Sequence, residues 1–305
     1  MAIAFFIKAN IKPIGFLAEL KRSVIECVGF VSKFQERDLQ LPKHRDKLLE
    51  NALKDLTKDK NVLAIYQSGS LAKGNYDDYS DIDLHIIVTP ETKAEFIREK
   101  FERPKRWGDV LYFEGVKNSP VIVTHYECFV KIDTFYKEPN ELQPTVWLHG
   151  LKALYDPHGM VTKVLEQSAA IRYRPTMDEV EVWRGKVFAF YHETYRAVMR
   201  RENYYALANL DRIRWLIVSG WYMEMEQRVD GPYGIWTKLE GKRSHLKEWQ
   251  LSWLESWDCS RNSNDIMKTM ASMTPEFFRL NKQLSEMTGL DEREDWCKKI
   301  IELVL

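Results

Sequence analysis

No stretch of the sequence approaches the ~18 consecutive apolar residues of a membrane-spanning helix, so no such helix is expected. The opening Met1–Ile7 is apolar but short. Lys8 and Lys12 interrupt it and no small-residue cleavage site follows a long apolar core, so no leader is expected either. Net charge is absent: 45 Lys and Arg balance 45 Asp and Glu, leaving no global positive field for nucleic acid or an anionic membrane. A long RNA or DNA partner is disfavoured. Cysteine is scarce and scattered, with four residues at Cys27, Cys128, Cys259 and Cys297 that form neither a Cys-x-x-Cys pair nor a Cys/His cluster of zinc spacing. They read as reduced thiols of a cytoplasmic protein. No internal repeat or low-complexity linker divides the chain.

What is present is enough apolar material, 45% of 305 residues, for real cores in about two domains. The stretch that organises it is Gly69 to Asp83, where the apolar Val62–Tyr66 leads into Gly69-Ser70 and, after a gap of ten residues, Asp81-Ile82-Asp83 opens a second apolar run, Leu84–Val88. Residues i and i+2 of a strand share a face, so Asp81 and Asp83 point the same way, roughly 6–7 Å apart along the chain. Converging carboxylates suit Mg2+, which takes hard oxygen ligands and usually binds one or two carboxylates plus substrate phosphates. A turn rich in backbone N–H groups holds further phosphate oxygens. The implied chemistry is metal-assisted handling of a nucleoside triphosphate.

Gly69-Ser70, the gap and Asp81-Ile82-Asp83 between apolar segments resemble the signature of the DNA polymerase β-type nucleotidyltransferase superfamily. The rendering Tyr79-Ser80-Asp81-Ile82-Asp83-Leu84 is most similar to the aminoglycoside (streptomycin-type) adenylyltransferases. The resemblance implies Mg2+ on Asp81 and Asp83, ATP as donor, and nucleotide contacts from Gly69, Ser70, Lys73 and Ser80. It also implies a third acidic residue on a later strand. Asp133, in Val130-Lys131-Ile132-Asp133-Thr134-Phe135, stands at that kind of position, either as a metal ligand or as the base for the acceptor hydroxyl, with Glu127 as runner-up. His85 shares the strand face of Asp83 and reads as a structural or solvated histidine.

Along the chain, Leu17, Leu20, Val24, Val28, Val31 and Phe34 give residues 14–37 an amphipathic helical stripe. Helices are expected at Lys43–Leu56, Glu91–Phe101 and Met160–Gln167, and strands near Val110–Phe113, Val121–Tyr126, Phe129–Tyr136 and Leu151–Asp156. From about Arg172 helical patterns take over: Met177–Arg201, Tyr204–Arg228, Leu246–Trp257, Thr274–Met287 with Pro275 near its first turn, and Asp291–Leu305. The expected class is α+β, in three parts. An N-terminal helical extension takes residues 1–40. A nucleotidyltransferase domain with a mixed β-sheet flanked by helices takes 41–170, and a C-terminal helical bundle that binds the acceptor takes 171–305.

In the relatives an arginine and a lysine of the helical domain reach the phosphates. Arg212 and Lys238 are the nearest equivalents, over a longer separation than the pattern has. Trp249, Trp253 and Trp257 read as core, and Lys242–Lys247 as a solvated basic face. The expected reaction is transfer of AMP from ATP to a hydroxyl of a small acceptor such as an aminoglycoside, releasing pyrophosphate. Asp77, Asp78, Glu193 and Glu202 are candidate carboxylates for a cationic acceptor. A transferase acting on a protein or tRNA, of toxin-antitoxin type, and a nonenzymatic nucleotide-binding module are the alternatives.

Overall fold

A computed structural model describes residues 32–305. The amphipathic stripe expected over residues 14–37 lies outside them save for its end, where Gln35–Asp38 form a single helical turn, α1. The chain divides into two compact units. One takes the described residues up to Pro144 together with Leu148–Glu166, and the other takes Thr145–Trp147 and Gln167–Leu305.

The first unit is a sheet with a helix laid on it. Helix α2, Leu41–Leu56, has proline in its first turn and buries Leu41, Arg45, Leu48, Ala52 and Leu56, one stripe at three- and four-residue spacing. Strand β1, Val62–Ser68, runs into the short helix α3, Gly69–Lys73, where a plain turn was expected. Strand β2, Ile82–Val88, follows and is buried on both faces apart from Asp83, as its unbroken Ile/Leu/Val content requires. Helix α4 covers Lys93–Glu99, shorter at both ends than the sequence pattern. Strands β3, Val110–Glu114, and β4, Val121–Tyr126, make a hairpin, and β5, Lys131–Lys137, returns beside β2. Strand β6, Lys152–Tyr155, and helix α5, Met160–Ala169, complete the region.

The strand order is β3-β4-β5-β2-β1-β6, in which β2 and β5 run parallel and every other pair antiparallel. Helix α2 packs with Ile65, Leu84, Ile86, Ile132 and Tyr136 on one face. The opposite face carries Ala64, Tyr66 and Ile87 against Leu142 and Val161. Lys100 is fully buried, and its ammonium donates to the carbonyls of Val116, Ser119 and Val121 at 2.5, 2.6 and 3.2 Å, which ties down the β3–β4 connection. A buried cation without those acceptors would be costly.

The second unit is helical: α6, Met177–Met199; α7, Asn203–Glu224; α8, Glu248–Ser256; α9, Ser263–Thr288; and α10, Glu294–Ile301. Thr176 and Glu179 cap α6 reciprocally. Two expectations need correction. Helix α9 begins eleven residues before Thr274 and runs through Pro275, because Ile266, Met270, Met273, Phe277, Leu280 and Leu284 form one buried stripe while the proline sits on the exposed side. The last helix is Glu294–Ile301, shorter at both ends than Asp291–Leu305. Trp257 is fully buried and stacked on Trp221, whereas Trp249 and Trp253 are 42% and 39% exposed, so the tryptophan stripe is core at one end only. No described helix is long and apolar enough to cross a membrane.

Candidate active site

Gly69 has φ of +68°, a backbone conformation that glycine adopts without strain. A Cβ there would lie 1.7 Å from Oδ2 of Asp83, so the start of α3 can lie against this carboxylate only because the side chain is missing. Ser70 is buried in the same turn, and Lys73 ends α3 with its side chain beside Gly150. Register then lines up the acidic residues: Ser68 is opposite Asp83 on β2, and Asp83 is opposite Asp133 on β5. Asp81 immediately precedes β2, with the same facing as Asp83.

Lys131, two residues before Asp133 and hence on its face, points between the carboxylates. Its ammonium is 2.6 Å from Oδ2 of Asp81 and 2.9 and 3.0 Å from the two oxygens of Asp133. Burial works against the ammonium's charge, but its bonds to Asp81 and Asp133 outweigh that and hold its pKa above the ordinary lysine value. Burial raises the pKa of Asp133, helped by the charges of Asp81 and Glu114 and opposed by Lys131. Among the described residues no three His, Cys, Asp or Glu side chains are arranged as a ready-made metal cage. The donor chemistry nevertheless fits Mg2+. Two hard carboxylates already converge on a positive charge and a third lies in register beside them, which suits an ion completed by substrate phosphates.

The loop that delivers Asp81 is held from α2. Arg45, 4% exposed, donates to the carbonyls of Asp77 and Ser80 at 2.9 and 3.1 Å. Ser80 accepts a bond from the Asp77 N–H and donates its hydroxyl hydrogen to Oδ1 of Asp77, so that hydrogen is engaged inside the loop. Tyr79 donates to Asp38 of α1. Glu127 is exposed in the β4–β5 turn. His85 is stacked between Tyr66 and Phe135, with ring centres 4.5 Å away on each side, and shares a 2.8 Å hydrogen bond with Ser68. Burial, helped by the Lys137 charge, lowers its pKa to about 3, so it is a neutral, structural histidine.

Arg212 and Lys238 belong to the second unit. The Arg212 guanidinium donates to Asn209 and lies over the Phe190 ring, and the Lys238 ammonium is 3.4 Å from Asp230. Four side chains at or near the site were missed from sequence. Lys131 had a signal, since Lys-x-Asp in a strand puts both groups on one face. Arg45 had none, because its partners lie more than thirty residues away. The paired His125 and Glu114, 2.5 Å apart on neighbouring strands, required the hairpin register.

Residues 46–134 match the family model described as "Nucleotidyltransferase domain", a span that contains every residue of this carboxylate cluster. No curated protein matches the chain. Among solved structures it is similar to an aminoglycoside 6-adenyltransferase from Bacillus subtilis, at 12% identity and a TM-score of 0.41, covering 86% of this chain and 98% of that one. It is also similar to a nucleotidyltransferase-like protein from Exiguobacterium sibiricum 255-15, at 8% identity and a TM-score of 0.42, covering 78% of each.

Proposed function

We propose that this chain, in which residues 46–134 are a nucleotidyltransferase domain, transfers AMP from ATP to a hydroxyl of a small acceptor and releases pyrophosphate. The observation that carries the reading is the gathering of Asp81, Asp83 and Asp133 on one sheet face, with Asp83 directly against Gly69. Backbone and hydroxyl groups of Gly69 and Ser70, with Lys73, hold the β- and γ-phosphates. Asp81 and Asp83 would hold Mg2+, which when bound would neutralise the triphosphate and polarise its α-phosphoryl group. Arg45 and Ser80 fix the loop in which Asp81 is presented.

Asp133 takes the proton of the attacking hydroxyl. Lys131, bonded to both of its oxygens, orients the carboxylate for that transfer. The acceptor oxygen bonds to the α-phosphorus, and the bond from that phosphorus to the oxygen bridging to the β-phosphorus breaks. The electron pair departs with pyrophosphate.

The test is pyrophosphate release from ATP with Mg2+ across aminoglycosides and lincosamides, comparing wild type with Asp81→Asn. Release that requires one acceptor class and falls at least about a thousandfold in the variant is expected. ATP binding without acceptor-stimulated release would move a protein, RNA or metabolite acceptor ahead of the antibiotic class.

A further inference from the structure

The apolar stripe of residues 14–31 has no part in nucleotidyl transfer. Spaced as a helix, these residues place Leu17, Leu20, Val24, Val28 and Val31 on one face and Glu19, Arg22 and Glu26 on the other. A lone helix of this length is marginal in water, and its stability has to come from packing the apolar face. Such a face needs a partner.

A surface of matching character lies where the described chain begins. Ser32 lines a cavity of about 890 Å3 with Arg37, Asp38, Leu39, Tyr79 and Phe129. Tyr79, Phe129 and Asp78 also line a second cavity, of about 420 Å3, whose wall continues to Leu111, Tyr112, Asp81 and Lys131. The two form one surface running from α1 across the ends of β5, β4 and β3. Its large side chains are held out in solvent: Leu39, Tyr79, Leu111, Tyr112 and Phe129 are 74%, 63%, 61%, 50% and 61% exposed. Phe129 has φ of +64°, a left-handed conformation costly for a bulky residue, and the turn fixes it there. Its N–H donates to the Tyr126 carbonyl, and Tyr126 N–H donates to that of Val130, both at 2.9 Å. The Arg37 guanidinium lies 3.9 Å from the centre of the Phe129 ring, and Tyr79 donates to Asp38 at 2.9 Å, so α1 and the start of the described chain are tied to this patch.

We infer that residues 14–31 pack as a helix on this surface of the same molecule, apolar face inward. Eighteen helical residues span about 27 Å. That reaches from α1 over the ends of three strands, which lie ~4.8 Å apart. The tether decides between this segment and a second copy: residue 31 is bonded to Ser32, at the edge of the surface, so docking is intramolecular and has a high effective concentration. Charge agrees. Among the described residues that line the two cavities, Arg37 is paired with Asp38 and Lys131 with Asp81, which leaves the charge of Asp78 unbalanced. Residues 1–31 carry Lys8, Lys12, Lys21 and Arg22 against Glu19 and Glu26, and Lys21 borders the apolar face. Docked in this way, the segment forms the solvent-side wall of the cavity that Asp81 and Lys131 line.

The experiment follows backbone hydrogen exchange of the full chain by mass spectrometry, with light scattering for its association state. It compares wild type with Val24→Asp/Val28→Asp, Phe129→Gly and Leu111→Ser. Glycine adopts φ of +64° without strain, so Phe129→Gly removes the ring without disfavouring the turn, and Leu111→Ser repeats the test from the exposed edge strand. Both leave the segment itself unaltered, so they separate docking from its own helix propensity. In a monomeric wild type, residues 17–31 are expected to exchange at least tenfold more slowly than their intrinsic rates. That protection falls fivefold or more in all three variants, while β1, β2 and β5 keep theirs. The docking is overturned if residues 17–31 exchange at intrinsic rates in wild type, if their protection survives both Phe129→Gly and Leu111→Ser, or if it appears only in a dimer, which would make a second copy the occupant. No readout uses turnover, so the docking stands or falls apart from the transfer reading.

Discussion

A methyl group on Gly69 meets Asp83 at 1.7 Å, and at φ of +68° it also incurs the left-handed penalty of about 1–2 kcal/mol. The clash is with a carboxylate whose strand is buried on both sides, so the turn, not the strand, must yield. Gly69→Ala therefore shifts the backbone proposed to hold the phosphates relative to the carboxylates. A displacement of about 1 Å at a reacting centre costs on the order of 10²-fold in rate. We expect kcat for pyrophosphate release to fall by about that factor while far-UV circular dichroism is unchanged; a variant with wild-type kcat would remove Gly69 from the site. The same residue shows what was readable in sequence. Gly-Ser before an i, i+2 aspartate pair is a local pattern, and both aspartates take their facing from strand periodicity alone. His85 followed the same rule, and its facing was read correctly. Its neutrality depends on Tyr66 and Phe135 from two other strands, which no local pattern contains.

At the scale of elements, strands were legible because alternation or full burial is written into them: β4 and β5 alternate buried and half-buried along their length. Helix boundaries were less so, and α9 shows why. Pro275 suits a first turn, and that local preference was weighted above a stripe of buried residues extending from Ile266 to Leu284. The overlooked signal was Asn262, whose side chain accepts from the N–H groups of Asn264 and Asp265 at 2.8 and 3.4 Å. An N-cap of this kind is worth about 1 kcal/mol. Asn262→Ala is expected to lower the stability of the helical unit by about that amount in urea titrations, without altering pyrophosphate release. A helix that started at Pro275 would be indifferent to the change. Arg45 marks the opposite limit, a helical residue whose importance comes only from a loop folded back against it.

At the scale of the whole molecule, the two units have separate cores, and a single unfolding free energy does not describe such a chain. Its tryptophans separate the signals: of ten, Trp107 alone belongs to the first unit. Acid should act on that unit through His85. Its pKa is about 3 when folded, against 6.5 for a solvated histidine, so the unfolded chain binds the extra proton between these values. Stability conferred by the neutral ring is complete above about pH 6.5 and declines as pH falls toward 3, at up to about 1.4 kcal/mol per pH unit. Hydrogen exchange, corrected for intrinsic rates, should show β1, β2 and β5 losing protection from pH 6.5 to 4.5. His85→Phe keeps a ring between Tyr66 and Phe135 and cannot take up the proton, so it should flatten that dependence even if loss of the Ser68 hydrogen bond lowers stability at every pH. An unchanged slope in the variant would assign the acid sensitivity to other groups. Tryptophan fluorescence, weighted to the helical unit, has no reason to follow the His85 substitution.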